Sequence, residues 1–178
     1  KVRDGRDIFM VGEANGVDAS ELDQWVGERG VFDMLFEFSH TLIPMHKSEI
    51  WCRKVDWTLT DLKRVLVASQ EATAKNGWYP AFWENHDQPR STVNYFQCDG
   101  SLAKKAKVLG TVLLTTRGTP FVFQGEELGY GNAPWRSIDE FDDLSTRNQY
   151  EFALGEGLDE AGALAACVRY SRDNARTP

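Results

Sequence analysis

Cysteine is scarce in this sequence. Its three cysteines, Cys52, Cys98 and Cys167, are far apart, odd in number and include no C-x-x-C pair, which argues against a disulfide framework and a zinc site. They read as reduced thiols of a cytoplasmic protein. Positive charge is also in short supply. With 20 Lys+Arg against 27 Asp+Glu, the formal net charge is −7. That is the wrong sign for a protein that binds nucleic acid by neutralising phosphates. No apolar run approaches ~18 residues, so no membrane-spanning helix is indicated. The opening stretch, KVRDGRDIF, has no signal-peptide core and no initiating Met, and it reads as a piece excised from something longer. Internal repeats and low-complexity linkers are lacking too.

What remains is an ordinary globular composition, 42% hydrophobic and 26% charged over 178 residues, enough for one domain with a sizeable core. Six tryptophans are the one oddity, and core packing is the plain account of them. Apolar periodicity predicts short strands over 7–13, 31–38, 78–85 and 119–125. It predicts helices over 58–77, with Leu62, Val65, Leu66, Ser69 and Thr73 on one face, and over 101–118, with Leu102, Ala106, Leu109 and Leu113 on one stripe. Thr60 is the expected N-cap of the first helix, and Gly77 and Gly118 sit where C-terminal glycines belong. A short helix is expected over 139–153, and another led by Asp159 or Glu160. Strands alternating with helices predict parallel βαβ units.

In such folds the chemistry sits beyond the C-terminal ends of the strands. Here those ends carry Glu13, then Glu37 to His40, then Asn85-His86-Asp87, then Gln124-Gly125-Glu126. Glu13, flanked by Val11, Gly12 and Ala14, is a candidate for partial desolvation, which would keep a proton on a carboxyl and suit a general acid at a glycosidic oxygen. Asp87, beside His86 and Arg90, is a candidate for an ionised carboxylate that grips sugar hydroxyls. Taken alone, a strand-terminal Glu is more often a solvated end, and Asn-His-Asp reads equally as an Asx-turn. His40 and His46 read as structural or exposed, and the pair Asp142 and Asp143 as a solvated face. GEANG lacks the Gly-x-Gly-x-x-Gly pattern of a nucleotide loop.

Four motifs in order change these odds: FMVGEANG, NHDQPR, GTPFVFQGEELG and SRDNARTP. Together they resemble the α-amylase family of glycoside hydrolases, in its α-glucosidase and oligo-1,6-glucosidase branch, from about residue 7 to the last. The resemblance implies α/β architecture: the second half, strands five to eight, of a (β/α)8 TIM barrel over 1–125, with a loop-rich helical extension after the last strand over 126–178. It implies hydrolysis of terminal α-linked glucose from short oligosaccharides. Glu13 corresponds to the general acid/base and Asp87 to the carboxylate that holds substrate hydroxyls. His86 and Arg172 correspond to contacts of the terminal glucose, and Arg90 to a motif arginine on the substrate side. No cofactor and no metal ligand is implied within these residues; the family's calcium loop belongs to the N-terminal half.

A retaining glycosidase also needs a nucleophilic carboxylate about 5 Å from the acid. The family carries it in a Gly-x-Arg-x-Asp stretch before the Glu motif, and VRDGRD does not match in register. The isolated chain is therefore expected to be inactive. Half a barrel leaves strand edges and an apolar face uncovered, which favours self-association. Sucrose isomerase or trehalose synthase chemistry is the related alternative. A non-catalytic glucosidase-like subunit is the distant one, disfavoured because Glu13 and Asp87 remain.

Overall fold

The structure is a computed structural model that describes residues 5–27, 30–45, 49–74, 77–96 and 98–176. His46 and the final Thr177-Pro178 of the last motif lie outside the described residues. Among the described residues four strands, β1 (Val11–Glu13), β2 (Met34–Phe36), β3 (Pro80–Ala81) and β4 (Thr119–Pro120), form two parallel pairs. Val11 faces Met34 in the first pair and Pro80 faces Thr119 in the second. Helices α1 (Leu22–Trp25), α2 (Leu59–Thr73), α3 (Ser91–Asn94) and α4 (Leu102–Thr115) lie between them in sequence, so strand and helix alternate as the periodicity requires. After β4 come α5 (Leu144–Gly155), α6 (Glu160–Tyr170) and α7 (Asp173–Arg176). No helix among the described residues is long and apolar enough to cross a membrane.

The strands are shorter than the apolar runs that announce them, because the residues at their ends leave the ladder for other partners. Trp83 donates from its indole to the Leu109 carbonyl, and Glu84 turns to Arg90. The Phe123 amide donates to the Glu126 carboxylate, and Gly125, at φ 87°, reverses the chain. Short helices α1, α3 and α7 go unread in the hydrophobic pattern. α1 had a legible signal, since Asp18 and Glu21 close a capping box on the turn just before it.

The long helices follow the pattern in their buried faces but not at their ends: α2 stops at Thr73 and α4 at Thr115, short of Gly77 and Gly118, and Leu102 of the expected α4 stripe is exposed. α2 is capped by Thr58, not Thr60: the Asp61 amide, at the third helical position, donates to the Thr58 hydroxyl, and the Asp61 carboxylate accepts from the Thr58 amide. Its buried residues are Leu62, Ser69 and Thr73. The Ser69 hydroxyl donates to the buried Glu37 carboxylate at 2.8 Å, and the Ser39 amide donates to the other Glu37 oxygen. Glu37 and His40 are both buried, and the contacts of Glu37 tie this strand end to α2. Burial, with the Glu37 charge behind it, pushes the Tyr79 phenol above its ordinary range. α6 is capped by Asp159, whose carboxylate accepts from the Gly162 amide at 2.8 Å. α5 and α6 pack through small buried residues, Thr146, Ala153, Ala163 and Cys167. Burial pushes the Cys167 thiol up to about 12.

The chain divides into two compact units. The first comprises Lys1–Ile43, Trp57–Ala81 and Arg117–Pro120; the second comprises Pro44–Asp56, Phe82–Thr116 and Phe121–Pro178. The first unit is built on both strand pairs, with a small core of Val17, Leu22, Val26 and Leu35. The second holds α3 to α7.

Candidate active site

Glu13 belongs to the first unit. It closes β1 opposite Phe36, and the next amide, Ala14, donates to the Phe36 carbonyl at 3.1 Å. Gly12 holds this strand end in place by its smallness: a Cβ there would meet Leu35 at 2.8 Å and the Phe32 ring at 2.9 Å. The Glu13 side chain is exposed. The partial desolvation anticipated from its apolar neighbours is therefore not present, since alternation along β1 turns Gly12 inward and Glu13 outward.

The second unit carries His86, Asp87, Arg90 and Arg172. Asn85 makes the Asx-turn: its side-chain oxygen accepts from the Asp87 amide at 2.8 Å, and the Gln88 amide donates to the Asn85 carbonyl. The turn and the site are thus one object, because the Asx-turn is what projects Asp87. One Asp87 oxygen receives Arg176 at 2.6 Å and Arg172 at 3.5 Å. The other lies 3.2 Å from His86 Nε2. The Asp87 side chain is 34% exposed and His86 60%, so the group is open on one side. It combines a carboxylate with donors of fixed direction, the kind of polar array that reads hydroxyl groups.

Arg176 is the residue that sequence reasoning passed over. It stands in the same motif as Arg172, four positions on, at the end of α7, and both arginines reach the same Asp87 oxygen. Arg176 Nε also donates to the His86 carbonyl at 3.0 Å. Arg172 divides its guanidinium between Asp87 and Asp143, whose oxygen lies 3.2 Å from Nε. Asp143 is accordingly no solvated acid. It caps α5, accepting from the Thr146 amide, while Asp142 beside it is exposed. Buried Asp173 accepts from both the Asp142 and Asp143 amides at 2.9 Å and ties α7 to the start of α5. A cavity of about 420 Å³, within the usual range of ligand pockets, is lined by Trp135, Glu140, Asp142, Asp143, Asp173 and Arg176.

Arg90 occupies a different setting from the one anticipated. It is 1% exposed. Its guanidinium bonds Glu84 at 2.8 Å, the Gln124 carbonyl at 2.7 Å, and the Asn174 and Ala175 carbonyls at 3.3 and 3.4 Å. Phe123 and Tyr130 rings flank it at 5.5 and 5.7 Å. Glu126 at the fourth strand end is also drawn inward. Burial raises its pKa to about 7, with the Phe123 amide and Arg90 opposing and the Glu84 and Glu127 charges adding. No His/Cys/Asp/Glu group suited to a metal ion occurs among the described residues.

The profile of the family described as "Alpha amylase, catalytic domain" matches residues 1–178. The probable oligo-1,6-glucosidase 3 of Bacillus subtilis (strain 168) is 38% identical over 175 residues, which are 96% of this chain and 30% of that protein. The oligo-1,6-glucosidase of Bacillus cereus is 40% identical over 175 residues, 97% of this chain and 31% of that protein. A mutant isomaltulose synthase from Erwinia rhapontici NX5, solved in complex with its natural substrate sucrose, superposes with a TM-score of 0.87 at 29% identity, covering 100% of this chain and 32% of that one. The chain therefore spans about a third of the length of the proteins it matches.

Proposed function

Because this chain belongs to the α-amylase catalytic-domain family, we propose that it carries the acid and the sugar-holding aspartate of a retaining α-glucosidase acting on short α-linked oligosaccharides. Its parallel strand–helix alternation is part of a (β/α)8 barrel; the assignment of β1 to β4 as strands five to eight is part of the proposal. In this reading Glu13 protonates the departing glycosidic oxygen and later takes a proton from water. Asp87 accepts hydrogen bonds from two hydroxyls of the terminal glucose. His86, Arg172 and Arg176 surround that carboxylate and direct further bonds to the same sugar. The observation that carries the reading is the Asp87 array, a half-open carboxylate with Arg176 at 2.6 Å and His86 at 3.2 Å on opposite oxygens.

Neither the acid nor the aspartate is the nucleophile, and the family's Gly-x-Arg-x-Asp stretch is not among these 178 residues. The isolated chain should not turn over an aryl α-glucoside. Rapid release of the aryl group by purified chain, abolished by Glu13→Gln, would overturn that assignment.

The structural likeness to a sucrose-bound isomaltulose synthase favours a second reading, in which the glucosyl group is passed to fructose rather than to water. Separating the products that a full-length protein containing this chain makes from isomaltose and from sucrose decides between them. Free glucose as the main product from both supports hydrolysis. A rearranged disaccharide from sucrose supports isomerisation. Neither product would defeat both.

A further inference from the structure

Arg90 stands three residues beyond Asp87, and its side chain is not used in the reading above. Its setting is costly. Arg90 and Glu84 are 2% and 1% exposed at the side chain, and such a buried pair is often no more stable than well-packed apolar residues of the same volume. The geometry around it suggests what the pair is for. Glu84 uses both oxygens, taking Arg90 at 2.8 Å and the Ser91 amide at 2.5 Å, which fixes the guanidinium plane. From that plane Arg90 reaches the Asn174 and Ala175 carbonyls, on the two residues that precede Arg176. Arg176 in turn holds Asp87 at 2.6 Å and the His86 carbonyl at 3.0 Å.

These contacts close a ring. It runs along the backbone from Asp87 through buried Pro89 to Arg90, across to Ala175, along one peptide to Arg176, and back to Asp87. Pro89 restricts its own φ and the guanidinium is planar, so the ring has few soft joints. A third segment is pinned to the same hub through the Gln124 carbonyl at 2.7 Å. We infer that Arg90, oriented by Glu84, is a positioning residue that registers Arg176 against Asp87 and His86 and thereby sets the direction of the Asp87 carboxylate. It touches no ligand itself. Only its consequence for sugar binding rests on the glucosidase reading.

Lysine is the informative substitution. Its ammonium can still pair with Glu84, but one point charge cannot also reach three carbonyls in a fan. The readout is the Arg176 Nε–Hε signal in an arginine-labelled NMR spectrum of the chain, assigned by its loss in Arg176→Lys. In Arg90→Lys its hydrogen exchange should quicken by about tenfold, while buried amides of α4 and α6 keep their protection. An unchanged Arg176 signal in folded Arg90→Lys overturns the inference. Should that variant fail to fold, Glu84→Gln decides: the amide keeps one acceptor oxygen and removes the charge, so the tether weakens without emptying the space, a roughly threefold quickening is expected and no change refutes. The unsubstituted chain gives a further check. The Arg90 and Arg176 Hε protons should open together on warming, and independent opening refutes. Titrating methyl α-glucoside into the same samples separates the two ideas. No perturbation of the Arg172 and Arg176 Hε signals in the unsubstituted chain counts against the glucosidase reading and leaves the Arg90→Lys result standing.

Discussion

Asp143 shows how one side chain serves two neighbours. It caps α5 through the Thr146 amide and hydroxyl and holds Arg172 on its other oxygen. Asp143→Ala should cost about 1 kcal/mol of stability through the lost cap, measurable in a urea titration, and should leave Arg172 with Asp87 alone. Glu126 makes a different prediction. Its folded pKa of about 7 lies above its ordinary 4.5, so the folded chain retains a proton that the unfolded chain has released. The contribution is fully present below about pH 4.5 and is lost as pH rises through about 7. Urea midpoints should therefore fall between about pH 5 and pH 8, and Glu126→Gln should flatten that slope. A slope unchanged by the substitution would mean another group is responsible.

At the scale of elements, what was legible followed from periodicity and caps. α2, α4 and α6 were readable because their buried residues repeat at helical spacing: Leu62, Ser69 and Thr73; Leu109 and Leu113; Ala163, Cys167 and Tyr170. The strands were legible as apolar runs but not in length, because what ends a strand is a tertiary partner such as Leu109 for Trp83. The tryptophans illustrate the same limit. Trp83 is 4% exposed as core packing requires, yet Trp78 is 42% exposed, with Arg117 stacked on its ring at 4.6 Å. In the candidate site, the sequence named His86, Asp87 and Arg172 but not how their contacts are divided. Nothing in SRDNARTP distinguishes Arg172 from Arg176 before α7 is folded, and nothing in NHDQPR reveals that Arg90 faces inward to Glu84. The α5–α6 pairing predicts a steric effect. Ala163 has no exposure, so Ala163→Leu should destabilise by about 1–3 kcal/mol through overpacking, read as a lowered melting temperature.

At the scale of the whole molecule, large apolar side chains remain exposed among the described residues, including Phe9 at 63%, Leu59 at 76%, Leu114 at 68% and Leu144 at 70%. Among the described residues, the strands are two or three residues long and pair only two by two, so each has an edge that no other strand covers. The chain should therefore self-associate, and sedimentation velocity should show the mean sedimentation coefficient rising with concentration; a constant monomer value at high concentration would contradict this. The interleaving of the two units has a consequence for synthesis. The backbone passes between them at 43–44, 56–57, 81–82, 116–117 and 120–121. β3 must wait for β4, which pairs Pro80 with Thr119, so the first unit stays unfinished on the ribosome until translation has passed residue 120. Once both have formed, a protease that nicks any one of those crossings leaves the others intact, and the halves stay joined.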